Sequence, residues 1–215
     1  LISKHGDYLS YLAEKNKVNL EFEAAFAGGI PIVRTIKEGL ATNKITKVYG
    51  ILNGTCNYIL SQMEKTKDSF KNVLKNAQKL GYAEPGNPKL DLNGYDALAK
   101  VKILSALAFN CKISKSQSLM EGIEKIEATD FDIVEKLNLR IKLLGITEII
   151  NNKIFERVHP CLVSRDSYIG NVTDVMNAVI LEGKPVGESV MQGEGAGPVS
   201  YTHLRAHETR EDGGL

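Results

Sequence analysis

Residues 77–100 read "AQKLGYAEPGNPKLDLNGYDALAK". Pro85, Gly86, Pro88 and Gly94 stand among Tyr82, Glu84 and Asp91, and the segment then runs without a break into an apolar stretch opened by Asp96 and Lys100. Prolines and glycines of this density hold a loop in a defined shape without a regular ladder. The spacing after it predicts a helix over about 95–109. On that helix Lys100 falls about 40° from Asp96, on the face of Ile103, Leu104 and Leu107, with Lys102 and Ser105 on the far side. Two readings stay open on geometry alone. One is an i,i+4 ion pair worth about 0.2–0.5 kcal/mol, or a lysine reaching past the core to water. The other is a partly desolvated amine held by its own carboxylate, able to move a proton or polarise a carbonyl. Several carboxylates and an amine converging on one helix start suit a small zwitterionic substrate.

Outward from this stretch, helices and strands alternate early, and strands follow one another later. A helix is expected over 5–15, a strand over 18–25, and a helix after Pro31, which suits a first helical turn. "ITKVYGIL" (45–52) reads as a strand leading through "NGT" into a helix over 56–65. Ser69 caps the next helix and Gly81 stops it. Thr129 and Asp130 open a short helix. Residues 140–150 and 153–163 read as two strands joined at Asn151–Asn152. A further strand is expected over 177–183, and "GEGAG" (193–197) reads as a glycine-rich loop. The order implies an α/β (α+β) fold, a mixed β-sheet covered by helices on one side.

Composition narrows the function. The chain has 215 residues, 43% of them hydrophobic and 25% charged, with a net charge of +1. That balance can bury a core and offers no basic field for nucleic acid. No apolar run approaches the length of a membrane span. Cys56, Cys111 and Cys161 are widely separated, which argues against a disulfide framework or zinc site and for a reducing cytoplasm. They are expected to be structural, as is His159.

The long motif resembles the homoserine dehydrogenase signature, with Ala77, Gly81, Asn87, Pro88, Asp91, Gly94, Asp96 and Lys100 in the family's order. "FEAAFAGGIPIVRTIKEGL", "VYGILNGTCNYIL" and "RIKLLGI…VHPCLV" resemble the catalytic region of the same family. The resemblance implies NAD- or NADP-dependent interconversion of L-homoserine and L-aspartate 4-semialdehyde, on the route to threonine, methionine and isoleucine. It implies Lys100 as proton donor or acceptor, oriented with Asp96. It gives Glu84 the substrate amino group, with Tyr82, Asp91 and the Gly54–Thr55 backbone completing the pocket. Gly197, with Gly195 nearby, would meet the cofactor. A monovalent cation, Na⁺ or K⁺, would sit on Glu23 and backbone oxygens of Phe26, Gly28 and Ile30. The family also implies a homodimer with sheets pairing between subunits. A related dehydrogenase of another amino-acid semialdehyde, and a non-catalytic module keeping the same fold, stay open as alternatives.

The family begins with a G-x-G-x-x-G nucleotide-binding domain that this sequence does not show, so a fragment inactive by itself is expected. Residues 1–26 would be the remnant of that domain, and 27–200 the catalytic, substrate-binding and dimerisation domain. Residues 201–215 stand apart: 1–200 hold 21 Lys and 4 Arg, whereas "YTHLRAHETREDGGL" holds 2 Arg, no Lys and two of the four His. An artefactual or disordered tail is expected there.

Overall fold

The computed structural model describes residues 1–195 apart from 24, 25, 27, 28 and 87. The tail and Gly197 lie outside the described residues, as do Gly28 and Asn87. The first strand, β1 (Lys44–Ile51), is set by Ile45, Val48 and Ile51, and a bulge between Ile45 and Lys47 turns both Ile45 and Val48 into one core. Three longer strands follow, β3 (Leu139–Ile150), β4 (Lys153–Ser164) and β5 (Met176–Lys184), with a short β2 (Leu119–Met120) before them and β6 (Gly187–Glu194) after. They form one six-stranded sheet in the order β2-β4-β3-β1-β5-β6, antiparallel except for β2 on β4. Asn151 and Asn152 both take positive φ (49° and 60°) in the two-residue turn between β3 and β4. Asn tolerates that region, and such turns match the twist of a hairpin.

Two of the expected elements differ. Residues 18–22, read as part of a strand, form none, because alternation chooses a face but a strand needs a neighbouring edge to bond. Conversely, the glycine-rich loop expected near 193 is strand as far as Glu194, since β5 offers β6 a continuous antiparallel ladder.

Among the described residues seven α-helical segments lie in chain order: α1 (Ile2–Asn16), α2 (Ile32–Arg34), α3 (Gly54–Thr66), α4 (Phe70–Lys79), α5 (Lys89–Leu92), α6 (Tyr95–Phe109) and α7 (Ala128–Lys136). Ser69 Oγ caps α4 by accepting the Asn72 N–H, and Gly81 leaves it at φ 78°. At α7 the cap falls on Glu127, whose N–H donates to Asp130 at 2.8 Å. The larger core, including Val48, Leu52, Ile59, Val101, Leu104 and Phe131, lies between these helices and the sheet. Helix α6 is apolar almost all round. Ser105, expected on a solvated side, is buried and meets Thr147 Oγ1 of β3 at 3.0 Å. Its partner across the interface lets a polar group enter the core without loss. The close approach depends on Gly145, where a Cβ would lie 2.6 Å from Val101 Cγ2 and 2.8 Å from Leu52 Cδ1.

The opposite face carries a smaller cluster, including Ile51, Leu144, Ile146 and Ile180, capped at one end by a 3₁₀ turn at Ile169–Asn171. Lys142 belongs to this part of the fold and is only 1% exposed. Its Nζ donates to Asn57 Oδ1 at 3.1 Å and to the Val172 carbonyl, and no carboxylate pairs with it among the described residues. Burial pushes the ammonium down to about 8, with Glu64 partly opposing. An unfolded lysine titrates near 10.5, so the folded chain bears a penalty below pH 8 that is lifted between pH 8 and 10.5. Stability from this group therefore rises with pH in that window, by up to about 3 kcal/mol. Measured by urea unfolding, the wild type should gain stability relative to Lys142→Met between pH 7.5 and 10. A constant difference would refute the desolvated lysine.

Candidate active site

Beyond the end of β1, Leu52 and Asn53 carry the chain to the start of α3. Asn53 takes the extended conformation of an N-cap, and its Oδ1 accepts the Cys56 N–H at 2.9 Å. Helix α5 brings Asp91 alongside, and Gly94, at φ 84°, turns the chain directly into α6. That left-handed turn has little room: a Cβ at Gly94 would lie 3.0 Å from Val158 Cγ1. Asp96 then stands in the first turn of α6, and Lys100 one turn later.

These residues meet. Lys100 Nζ donates to Asp96 Oδ2 at 2.7 Å and to the Leu52 carbonyl at 2.8 Å. Asn53 Nδ2 donates to Asp96 Oδ2 at 3.0 Å and to Asp91 Oδ1 at 2.9 Å. The Lys100 side chain is 18% exposed and that of Asp96 34%. The pair thus sits between the two sequence readings: an i,i+4 ion pair, but one half withdrawn from water and anchored to backbone. Burial raises the Asp91 carboxyl above the usual range; the Asn53 hydrogen bond lowers it, Asp96 raises it, Lys100 lowers it and Glu84 raises it. Cys56 is buried beneath, its Sγ donating to the Asp91 carbonyl at 3.3 Å. Burial, then Asp91 and Asp96, push this thiol well above its ordinary value, which keeps it protonated and suits a structural part.

The remaining expected site residues lie around this cluster with fewer bonds. Thr55 Oγ1 donates to the Tyr82 carbonyl at 2.8 Å, and the Tyr82 ring packs on Tyr58 with centroids 4.6 Å apart. Gln78 holds the Glu84 main chain at 3.1 Å, and the Glu84 side chain is exposed. Gly54 begins α3 against β5: a Cβ there would lie 2.8 Å from the Val175 carbonyl. Gly195 reaches the same carbonyl with its N–H at 3.4 Å, so the end of β6 comes to the first turn of α3. At the 23–30 turn, both Glu23 carboxylate oxygens are engaged, by the Val33 and Arg34 N–H groups at 2.8 and 2.9 Å. Among the described residues no cluster of three or more His, Cys, Asp or Glu could hold a metal ion, and no helix is long and apolar enough to cross a membrane. A cavity of about 490 Å³ between the 111–118 loop and β4 shares no lining residue with the Lys100 cluster.

Asn53 and the Leu52 carbonyl were not expected in the site. The "NGT" turn before a helix signals an N-cap, but not that its amide spans to Asp91 and Asp96, 38 and 43 residues away.

The arrangement can be set against known proteins. The family model described as homoserine dehydrogenase matches residues 31–202. The chain belongs to the homoserine dehydrogenase family. It is 46% identical over 197 residues to a homoserine dehydrogenase of Neisseria gonorrhoeae, covering 92% of this chain and 45% of that one. It is 45% identical to the Helicobacter pylori enzyme, covering 88% and 45%. The crystal structure of a homoserine dehydrogenase from Thiobacillus denitrificans superposes with a TM-score of 0.90 at 43% identity, over 94% of this chain and 46% of that one. A hyperthermophilic archaeal homoserine dehydrogenase mutant in complex with NADPH gives a TM-score of 0.79 at 25% identity, over 97% and 60%. The chain spans about half the length of the curated relatives it matches.

Proposed function

We propose that this chain carries the substrate end of a homoserine dehydrogenase, interconverting L-homoserine and L-aspartate 4-semialdehyde with NAD or NADP. The observation that carries this reading is the Lys100 ammonium, held 2.7 Å from Asp96 and 2.8 Å from a backbone carbonyl at the floor of a carboxylate-rich loop. When bound, the nicotinamide supplies or takes the hydride at the carbonyl carbon. Lys100 gives its proton to the carbonyl oxygen on reduction and recovers one from solvent; in the reverse direction the amine, having first released a proton to solvent, takes the hydroxyl proton. Asp96 fixes the direction of that ammonium, and Asp91 adds an acceptor beside it. Exposed Glu84 takes the substrate ammonium. Tyr82 and the Gly54–Thr55 backbone hold the rest of the small substrate, with N–H groups at the start of α3 suited to its carboxylate.

Gly195 lies on the cofactor side in this reading, which the approach of β6 to α3 supports, and Gly197 is given to the cofactor by the resemblance alone. The NADPH bound to the archaeal relative supports a nicotinamide dinucleotide. The resemblance would place a monovalent cation on Glu23 and backbone oxygens of Phe26, Gly28 and Ile30, although the Glu23 carboxylate already accepts the Val33 and Arg34 N–H groups. We assign residues 1–26 to the edge of a nucleotide-binding domain and 27–200 to substrate binding and dimerisation. Three free thiols suit a reducing cytoplasm.

In a chain extended to the length of its relatives, Lys100→Met should lower kcat for homoserine oxidation by about 100-fold or more, with a smaller change in KM. Turnover within threefold of wild type would remove Lys100 from the proton transfer. A homodimer is supported by the outer face of the sheet, where Phe155 and Val190 remain exposed beside half-buried Tyr49. Sedimentation equilibrium at micromolar concentration should give twice the monomer mass, and a monomer would overturn the dimer.

A further inference from the structure

Asn53 is 7% exposed and makes three side-chain hydrogen bonds, one accepted from Cys56 and two donated to the carboxylates of Asp91 and Asp96. A side-chain amide carries two N–H hydrogens, so each carboxylate receives one. Two carboxylates brought to one site without such a donor relieve their repulsion by sharing a proton. We propose that Asn53 is a positioning residue of the Lys100 site, its amide filling the place a shared proton would otherwise take between Asp91 and Asp96. Both carboxylates are thereby left as acceptors, Asp96 for Lys100 and Asp91 for the substrate. The identity of that substrate rests on the homoserine dehydrogenase reading; the arrangement of charges does not.

The groups facing Asp91 come from four places. Asp96 and Lys100 approach from α6, Glu84 from the preceding loop, and Cys56 and the Asn53 cap from α3 and its start. Burial, Asp96 and Glu84 favour a protonated Asp91, whereas Asn53 and Lys100 oppose it, with Asn53 the larger of those two. The amide is therefore the main counterweight. The same residue also caps α3, so a test must separate its two uses. Serine at an N-cap still accepts the N–H of the third helical residue, but its hydroxyl is too short to reach both carboxylates. Aspartate keeps the cap and the shape but has no hydrogen to donate.

Carboxyl ¹³C titration of the 215-residue chain should show Asp91 protonating at higher pH in both Asn53→Ser and Asn53→Asp than in wild type. The serine variant, which adds no charge, decides. Melting temperatures should fall by no more than about 5 °C, because the cap survives. In the extended chain, Asn53→Ser should lower kcat for homoserine about 10-fold or more, change KM less than about 3-fold, and move the acidic limb of kcat/KM to higher pH. A purely structural role would lower the melting temperature and the active fraction and leave the pH limb in place. An unmoved Asp91 titration in the serine variant, or an unmoved limb, overturns the proposal. A shifted Asp91 titration in a wild-type background that never turns over homoserine would sink the substrate reading and support the part given to Asn53.

Discussion

The hydrogen bond from the Lys100 ammonium to the Leu52 carbonyl is the constraint around which the molecule is arranged. A lysine with its side chain 18% exposed cannot rest among apolar neighbours without partners, because a desolvated charge left unpaired is costly. Leu52 lies just past the end of β1, one of the two central strands, and Lys100 on the helix packed across it. The bond therefore ties sheet to helix at the point where the carboxylates gather. Gly145 permits the close approach, Gly94 sets the angle at which α6 leaves α5, and Asn53 fixes the carboxylates on the far side of the ammonium.

The two faces of the sheet divide the work. The helical face buries the larger core and presents the Lys100 cluster at the ends of β1 and α3. The outer face buries a small cluster, leaves apolar side chains open, and is joined by a buried lysine, Lys142. Lys142 and Lys100 make an instructive pair. Lys142 is the more deeply buried, bonded to an amide and a carbonyl without a paired carboxylate, and burial lowers its affinity for a proton. Lys100 is paired with Asp96 at the rim, where a substrate can reach. Burial alone would point to Lys142; the neighbouring carboxylates and the open loop favour Lys100 for the proposed proton transfer.

Much of this was legible in the sequence because it depends on local rules. The i,i+4 spacing of Asp96 and Lys100, the Ser69 cap, the Gly81 stop and the Asn151–Asn152 turn each follow from a few neighbouring residues. The failures involve partners far along the chain. Residues 18–22 alternate like a strand but form none among the described residues, whereas Gly193 and Glu194, read as the start of a glycine-rich loop, end β6 because β5 offers an edge. Ser105 looked solvent-facing until Thr147, 42 residues later, met it in the core. Asn53 read only as part of a turn between strand and helix, because its role depends on Asp91 and Asp96 being folded back onto it. The lysine–carboxylate pair could be picked from the helical wheel, and the amide that organises it could not.

The most direct measurement is a crystal structure of the chain with L-homoserine bound. If Lys100 transfers the proton, the substrate hydroxyl lies within hydrogen-bond distance of Lys100 Nζ, with its ammonium toward Glu84 and its carboxylate at the start of α3. Homoserine bound elsewhere, with Lys100 still closed onto Asp96 and Leu52 alone, would contradict it.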